Sequence, residues 1–372
     1  MISNKKIALL LFNYFSYGGL ERDFLSVSEE LLKRGFILKI FVGSWEGKKP
    51  SSLDIVELGH KGFTNHSKNR NYFKKTSFLL KSFNPDLIFG FNKIPSLDLY
   101  LAADTCFKKR RKNKNFIYKL LPRYKLYMDY ENAVFGKKSK TKILLLNEKQ
   151  KSEFKEEYDP KELRMSILPP GLSDSLKVNK KERTTKGDLG FKSTDKIILF
   201  VGSDFKRKGL DRAIKALSSC LNKKDKSLFL LVAGQDDPKH FSNLAHSSGV
   251  KDQVIYLGSR DDVDELMVFS DLLIHPAREE AAGNVILEAM VKELPVLTCE
   301  EVGFSGYVER YEGGTVIKND FSQQKLNASL KNLIKKEKLS IYKKNLSKFK
   351  ENNYLFSRFE FIANLIEREL NV

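Results

Sequence analysis

The stretch HPAREEAAGNVILEAM, residues 275–290, sets two carboxylates around a glycine turn that leads from a buried strand into a helix. Glu280 precedes the turn at Gly283, and Glu288 lies eight residues after Glu280, inside a helix that is expected to begin at LEAM (287–290). A helix N-terminus carries about half a positive charge and unpaired N–H groups, so it suits phosphate. Carboxylates instead accept hydrogen bonds from hydroxyl groups, such as those of a ribose or a hexose. The pattern predicts a sugar-nucleotide pocket, although an amphipathic helix with acids on its wet face would show the same spacing.

A second stretch, GSDFKRKGLDR at 202–212, follows the apolar run IILFV (197–201) and enters a helical pattern. Strand, glycine, basic cluster and helix is the order in which α/β domains present phosphate ligands at the carboxyl edge of a sheet. Gly202 marks the turn, and Arg207 and Lys208 are placed to neutralise a departing diphosphate. Taken alone, an Arg-Lys pair in a loop is equally typical of a solvated surface.

The N-terminal end of the chain repeats this order. The strand-forming run IALLLF (7–12) precedes YGGLERDF (17–24), which reads as a glycine turn entering a helix. Gly18 and Gly19 lack side chains, so their backbone would allow a phosphate to approach closely. The pair is not the GxGxxG fingerprint, and by itself it is a weak signal.

Further motifs occur in order along nearly the whole chain. They are SWEG (44–47), TNH (64–66), GFNKIPSLDLYLAADTC (90–106), ILPPG (167–171), GSDFKRKG (202–209), AGQD (233–236), HPAREEAAGNVILEA (275–289) and LPVLT (294–298). Together they resemble family 4 of the retaining glycosyltransferases, in particular the lipopolysaccharide-core glucosyltransferases of Gram-negative bacteria. The chain departs from that family at Glu293, where glycine is usual, and this departure predicts a different helix exit.

The resemblance implies the GT-B fold: an α/β chain of two Rossmann-like, doubly wound domains with a C-terminal helix that crosses back to the first. We place an acceptor-binding domain at residues 1–168, a nucleotide-sugar-binding domain at 169–350 and the crossover helix at 351–372. Apolar runs alternate with helical stretches in both halves, as expected for parallel strands buried on both faces. The predicted strands are 7–12, 36–43, 86–91, 142–146, 197–201, 228–234, 253–258, 271–276, 295–298 and 314–317.

The resemblance also implies a reaction, the transfer of glucose from UDP-glucose to an inner-core heptose of lipopolysaccharide with retention of anomeric configuration. Such a transfer needs a stabilised leaving diphosphate, a held donor sugar and a positioned acceptor hydroxyl. Glu288 is expected to hold the ribose and Glu280 the glucose hydroxyls. The predicted donor-binding residues are Gly18, Gly19, Gly202, Arg207, Lys208, Gly283 and Glu288. The predicted catalytic residues are Glu280, Lys208, Arg207 and Asp104, and the predicted acceptor-binding residues are Asn65, His66, Asn92, Lys93 and Asp104.

Several of these assignments have structural alternatives. His66 would serve equally well as a loop residue, Asp104 as a helix cap, and His275 either as the end of a strand or as part of the donor pocket. We expect neither a metal nor another cofactor, because the basic pair and backbone N–H groups would neutralise the diphosphate. The acidic strings 236–237 and 261–265 nevertheless contain possible metal ligands.

The basic charge is concentrated in the first half of the chain. The formal net charge is +19, and residues 1–170 contribute 33 basic residues against 18 acids. Residues 106–130 alone combine nine basic residues and six aromatics with one acid. Such a segment can bind anionic lipid headgroups or nucleic acid, or it can be a solvated face. The implied lipopolysaccharide acceptor favours lipid. The predicted membrane-facing residues are Lys108, Lys109, Arg110, Arg111, Lys112, Phe116, Ile117, Tyr118, Leu120, Leu121, Arg123 and Tyr124.

The cysteine spacing and the length of the apolar runs limit the expected location of the protein. Three cysteines without C-x-x-C spacing argue against a disulfide framework or a zinc site, and no apolar run approaches the ~20 residues of a membrane span. We expect a cytoplasmic enzyme, peripheral on the inner membrane, with UDP-sugar and lipopolysaccharide as partners and without nucleic acid. UDP-galactose or an N-acetylhexosamine nucleotide as donor, an epimerase of the same architecture, and a basic nucleic-acid-binding protein stay open as alternatives.

Overall fold

The chain forms two compact α/β units. The computed structural model describes residues 4–15, 18–177, 184–221, 227–318 and 320–371. Unit 1 comprises residues 1–171 with 354–372, and unit 2 comprises residues 172–353. Tyr17, the first residue of the predicted N-terminal glycine turn, lies outside the described residues.

Unit 1 contains a seven-stranded parallel sheet with the order β3-β2-β1-β4-β5-β6-β7. The strands are β1 (Lys6–Tyr14), β2 (Ile37–Trp45), β3 (Ile55–Glu57), β4 (Leu87–Gly90), β5 (Leu99–Ala102), β6 (Lys142–Leu145) and β7 (Met165–Ile167). The helices are α1 (Gly19–Lys33), α2 (Asn65–Phe83), α3 (Phe107–Arg110), α4 (Phe116–Leu120), α5 (Pro122–Phe135) and α6 (Glu148–Tyr158). The sequence analysis missed β3, β5 and β7, of which β3 and β7 have only three residues, too few to show a period.

Unit 2 contains a six-stranded parallel sheet with the order β10-β9-β8-β11-β12-β13. The strands are β8 (Lys196–Val201), β9 (Leu228–Ala233), β10 (Val254–Gly258), β11 (Leu272–His275), β12 (Val296–Cys299) and β13 (Gly314–Ile317). The helices are α7 (Phe205–Lys208), α8 (Leu210–Cys220), α9 (Lys239–Ser247), α10 (Val263–Phe269), α11 (Asn284–Val291), α12 (Ser305–Arg310), α13 (Gln323–Leu333) and α14 (Lys336–Leu346). The strand order reverses between β8 and β11, and ligands of doubly wound sheets bind at the carboxyl ends of such a pair.

The last helix, α15 (Arg358–Leu370), belongs to unit 1 and packs against α1. The Arg358 side chain is fully buried, forms an ion pair with Asp23 and donates from Nε to the Pro169 carbonyl at 3.0 Å. The predicted α/β class, with two Rossmann-like sheets and a returning C-terminal helix, is confirmed.

The end of α11 corrects one expectation. Glu293 has φ +58°, in the left-handed region that favours glycine. Its N–H donates to the Met290 carbonyl at 3.1 Å, and the Leu294 N–H donates to the Ala289 carbonyl at 2.9 Å. These two bonds form the Schellman motif that usually ends in glycine. The predicted different exit is therefore wrong, because the glutamate adopts the same backbone conformation at a higher energy.

Candidate functional site

Arg207, Lys208 and Glu280 form one ion-pair cluster in unit 2. Arg207 Nη1 lies 3.0 Å from Glu280 Oε2, and Lys208 Nζ contacts the same oxygen. The Lys208 and Glu280 side chains are only 13% and 15% exposed. The structure thus joins the two stretches that the sequence analysis proposed for the donor, near the carboxyl ends of β8 and β11.

The backbone around α7 explains why the basic pair points at Glu280. Asp204 begins the helix with φ +59°, and its carboxylate accepts from Arg207 Nε at 2.8 Å. Gly209 ends it with φ +83°, and a Cβ there would lie 2.2 Å from the Pro276 carbonyl oxygen. Gly202 has φ +134°, and a Cβ there would lie 3.3 Å from Lys208 Cε. Both glycines are needed where the chain passes closely over itself.

Two arginines that the sequence analysis missed fasten this loop to the 275–290 stretch. The Arg278 N–H donates to the Arg207 carbonyl at 2.8 Å, and its guanidinium bonds both carboxylate oxygens of Asp211 at 2.8 and 2.7 Å. Arg212 Nη1 donates to the Pro276 carbonyl at 3.1 Å. Their partners lie more than sixty residues away in sequence, so the sequence contains no local signal for them.

His275 lies buried beside this cluster at the end of β11. Its side chain is 0% exposed, and neither ring nitrogen has a hydrogen-bond partner among the described residues. Burial, together with the charges of Lys208 and Arg207, lowers the pKa of His275 to about 3 against the opposing effect of Glu280. The imidazole is therefore neutral at neutral pH.

Glu280 stays ionised despite being buried. Burial raises its pKa, but the charge and hydrogen bond of Lys208, together with the charge of Arg207, outweigh the burial and leave the pKa below its ordinary value. An ionised carboxylate accepts hydrogen bonds only, which suits sugar hydroxyls.

The N-terminus of α11 opens beside Glu280. Gly283 has φ +83°, and a Cβ built on it would lie 2.4 Å from Val302 Cγ1 and 3.6 Å from Glu280 Cγ. The helix begins at Asn284, before the LEAM sequence, and Glu288 lies half-buried in its second turn. Gly202, Arg207, Lys208, Glu280 and Gly283 are thus close together, with Glu288 on the helix that follows.

The phosphate site predicted at the N-terminus of α1 is partly occupied by a side chain. A Cβ on Gly18 would lie 1.7 Å from Glu21 Oε2, so the Glu21 carboxyl group covers this glycine, whereas the space over Gly19 is open. Glu21 is 6% exposed. Burial raises the pKa of Glu21 to about 7, with Asp104 and Asp23 adding to the rise and a backbone hydrogen bond opposing it. The Glu21 carboxyl group therefore occupies the space beside Gly18, and the phosphate-binding role of Gly18 stays a prediction.

The acceptor candidates occupy different environments in unit 1. Asp104 is exposed just beyond β5, and Asn65 and His66 lie in the first turn of α2. Asn92 Oδ1 accepts from the Phe12 N–H at 2.6 Å, and Lys93 Nζ lies 2.6 Å from Glu131 Oε1. Asn92 and Lys93 therefore have structural partners, and their acceptor roles stay predictions.

Glu131 on α5, which the sequence analysis missed, connects several of these elements. Its side chain is 0% exposed and accepts from Lys93 Nζ, from the Tyr158 hydroxyl at 2.8 Å, and from the N–H groups of Phe107 and Lys108 at 2.8 and 2.9 Å. This single carboxylate therefore fixes the N-terminus of α3 to the interior of unit 1.

The basic segment 106–130 folds as α3, α4 and the first part of α5. Its apolar side chains on and after α4 are exposed: Phe116 by 73%, Ile117 by 72%, Leu120 by 49% and Leu121 by 45%. Arg123 lies over the Tyr127 ring, and Arg111 lies over the Tyr118 ring, which contacts Tyr124. Arg110 lies at the end of α3. These four exposed apolar side chains are accessible to a membrane interface, as an interfacial contact requires.

Three lysines of this segment pair with acids of α6, which reduces the charge available to lipid. Lys108 and Lys112 lie 3.5 and 3.7 Å from the two carboxylate oxygens of Glu157. Lys109 lies 3.4 Å from Glu156. The neighbouring helix thus supplies counter-charges that the linear sequence does not show, and the membrane-facing role of residues 108–112 stays a prediction.

The acidic strings have protein partners. Asp236 accepts from the Phe205 N–H at 2.8 Å, and Asp262 pairs with Arg260 and accepts from Thr184. Within the described ranges, no three His, Cys, Asp or Glu side chains are grouped so that they could hold a metal ion. The absence of a metal requirement stays a prediction.

The profile of the family described as glycosyl transferases group 1 matches residues 181–355. The chain is 37% identical over 366 residues to the lipopolysaccharide glucosyltransferase WaaG of Escherichia coli strain K12, covering 97% of this chain and 98% of WaaG. The crystal structure of WaaG, a glycosyltransferase involved in lipopolysaccharide biosynthesis, matches with a TM-score of 0.92 over 97% of this chain and 99% of that one. Anabaena HepE in complex with UDP-glucose shares the fold, with a TM-score of 0.74 at 16% identity over 98% and 99% of the two chains.

Proposed function

Because this chain belongs to the group 1 glycosyltransferases, together with the lipopolysaccharide glucosyltransferase WaaG, we propose that it transfers glucose from UDP-glucose to an inner-core heptose of lipopolysaccharide. The observation that supports this most directly is the cluster of Arg207, Lys208 and Glu280. It places two cations and one ionised carboxylate beside the N-terminus of α11, which is the chemistry that a nucleotide sugar requires.

The cations of the cluster serve the leaving group. When the bond between glucose and UDP breaks, negative charge grows on the diphosphate, and Lys208 and Arg207 neutralise it together with the N–H groups that follow Gly283. Because Lys208 is 13% exposed, its charge is screened less than it would be at the surface.

The carboxylates of unit 2 hold the rest of the donor. As the cations turn toward the diphosphate, Glu280 accepts hydrogen bonds from the glucose hydroxyls, and Glu288 accepts them from the ribose. Because Glu280 is then engaged with the glucose hydroxyls, we favour attack by the acceptor hydroxyl on the same face over a covalent intermediate.

The acceptor is assigned to unit 1. Asp104 is exposed at the end of β5 and can accept a hydrogen bond from the attacking hydroxyl. Asn65 and His66 at the start of α2 present further hydrogen-bonding groups for the saccharide.

Attachment to the cytoplasmic leaflet would bring the enzyme to its lipid-linked acceptor. Phe116, Ile117 and Leu120 are exposed next to basic residues, as in helices that lie in a membrane interface. None of the helices in the described part of the chain is both long and apolar enough to cross a bilayer. The proposed attachment is therefore peripheral.

The donor and acceptor are tested together by mass spectrometry. Purified protein is incubated with lipopolysaccharide truncated at the inner-core heptose and with UDP-glucose, UDP-galactose or an N-acetylhexosamine nucleotide in parallel. We expect a gain of one hexose with UDP-glucose. Preferential transfer from another nucleotide would reassign the donor, and consumption of the donor without acceptor would indicate an epimerase.

Chelation tests the metal-free assignment of the diphosphate. Since Arg207 and Lys208 provide the neutralising charge, turnover in excess EDTA should equal turnover without it. Activity that EDTA abolishes and Mg²⁺ or Mn²⁺ restores would overturn this part of the proposal.

A further inference from the structure

The segment that contains α2 carries several positive charges and no acidic side chain of its own. Residues 61–84 contain six Lys and Arg and no Asp or Glu. Among the basic residues, Lys61, Arg70, Lys74 and Lys81 are exposed, and Arg70 and Lys74 are one helical turn apart. Like charges at that spacing repel each other, so an anionic partner would stabilise this face.

Phe63 presents an aromatic ring directly in front of this helix. It is 106% exposed, more than any other large apolar side chain in the described chain. The loop that carries it is held by hydrogen bonds: Asn71 Nδ2 donates to the Lys61 carbonyl at 2.7 Å, and Thr64 forms a capping box with Ser67. The ring is therefore displayed by an ordered loop, and aromatic rings beside basic residues are typical of membrane-interface anchors.

The first half of α2 lies beside the basic segment 106–130. Asn69 Nδ2 donates to the Tyr127 hydroxyl at 3.1 Å, and the Phe73 and Tyr130 rings are 5.9 Å apart. Tyr127 lies under Arg123, one residue past the start of α5 and close in sequence to the exposed side chains of α4. Helix α2 therefore packs against the end of the segment already proposed to bind lipid.

We propose that Phe63, with Lys61, Arg70 and Lys74, forms a second contact with an anionic bilayer, separate from residues 106–130. The inference rests on the membrane attachment proposed above and adds a second point of contact. Two contacts on different helices would fix the orientation of unit 1 on the surface, whereas one contact would leave it free to rotate about that point.

Tryptophan scanning with brominated lipids tests the contact. Phe63, Phe78 and Phe116 are each replaced by Trp in the full chain, and Trp45, the single native tryptophan, gives the common background. Phe78 is the matched control: it is 74% exposed on the same helix, but it lies nine residues, or about two and a half turns, beyond Asn69 and so faces away from α5. We expect brominated anionic vesicles to quench the F63W and F116W variants well above the F78W variant.

Each pattern of quenching has a separate meaning. Quenching of F116W but not of F63W would overturn the second contact and leave the attachment through residues 106–130 intact. Quenching of F63W alone would support the second contact and reject the first. Absence of quenching in all three variants would overturn both. A response of F63W to a soluble oligonucleotide equal to its response to vesicles would replace lipid with nucleic acid as the partner.

Charge variants give an independent measurement. Replacing Lys61, Arg70 and Lys74 with Gln should weaken binding to anionic vesicles by about a hundredfold, since each of the three basic residues near such a surface contributes about fivefold. The same change at the exposed residues Lys335, Lys336 and Lys338 of unit 2 is the matched control. UDP affinity and the thermal unfolding midpoint should match the parent in both variants. Equal vesicle binding by the two variants would overturn the contact.

Discussion

Helices α1 and α11 both begin directly after a glycine, yet the surroundings of their N-termini are opposite in charge. At α1, the Glu21 carboxyl group covers Gly18, and Asp104 adds a second acid. At α11, Gly283 lies beside Glu280, which forms ion pairs with Lys208 and Arg207. The comparison teaches that a glycine before a helix does not define a phosphate site, because the charges of neighbouring side chains decide what the N-terminus binds.

The largest expected effect comes from removing a cation at α11. Changing Lys208 to Ala should lower kcat by about two to three orders of magnitude, because a preorganised charge at the leaving diphosphate is lost. Lys206, which is exposed on the same short helix, is the matched control. Steady-state kinetics with UDP-glucose make the measurement. Equal losses of kcat in the K208A and K206A variants would mean that Lys208 has no special role, and the proposed difference in charge between α1 and α11 would not matter for the reaction.

A smaller effect is expected from the carboxylates of unit 2. Changing Glu288 to Gln should weaken UDP binding by about 1.5–3 kcal/mol, the usual contribution of a hydrogen bond to a charged group. Changing Glu280 to Gln should mainly lower turnover, because Glu280 is proposed to bind the sugar and not the nucleotide. Titration calorimetry with UDP and turnover measurements separate the two roles. UDP affinity unchanged by the Glu288 substitution would contradict the ribose assignment.

The acidic surroundings of the α1 N-terminus predict that the stability of the protein depends on pH. Glu21 has a folded-state pKa of about 7 against an ordinary 4.5, so the folded protein binds this proton more tightly than the unfolded chain does. The group has no effect below pH 4.5, lowers stability as pH rises to 7, and keeps that cost above pH 7. Changing Glu21 to Gln should raise the free energy of unfolding at pH 8 by about 2 kcal/mol after allowance for solvent screening.

Urea unfolding at pH 4 and pH 8 checks this expectation. The parent and the E21Q variant should differ at pH 8 and agree at pH 4. A difference of the same size at both pH values would mean that ionisation of Glu21 is not its cause.

The smallest effect concerns the exit of α11. Changing Glu293 to Gly should stabilise unit 2 by roughly 0.5–1 kcal/mol, because glycine adopts the observed φ of +58° without side-chain strain. Thermal unfolding measures it, with UDP affinity as the control for an unchanged α11. A loss of stability would show that the Glu293 side chain has contacts that outweigh the strain.

The sequence predicted unit 2 better than unit 1 for a physical reason. Each strand of unit 2 is an apolar run that a continuous window detects, and Arg207, Lys208 and Glu280 follow such runs closely. In unit 1, β3 and β7 have only three residues each, too few to show a period.

The remaining site features depend on contacts that no local pattern encodes. The Glu21 carboxyl group lies against Gly18, three residues before it. Lys108 forms an ion pair with Glu157, which is 49 residues away in sequence. Distant partners also explain Glu131, which resembles an ordinary surface acid of α5 in the sequence but accepts from four donors that lie 23–38 residues away. Side-chain pairs of this kind become predictable only once the sheet order is known.

The buried pair between Arg358 and Asp23 has a consequence for synthesis of the chain on the ribosome. Asp23 is made early, but Arg358 emerges only after all of unit 2 has been translated, because α15 lies at the C-terminal end. Until then Asp23 lacks its cation, and a buried carboxylate without one is costly. Unit 1 is therefore completed only after unit 2 has been synthesised, and a chain that stops before residue 358 lacks both α15 and the cation that pairs with Asp23.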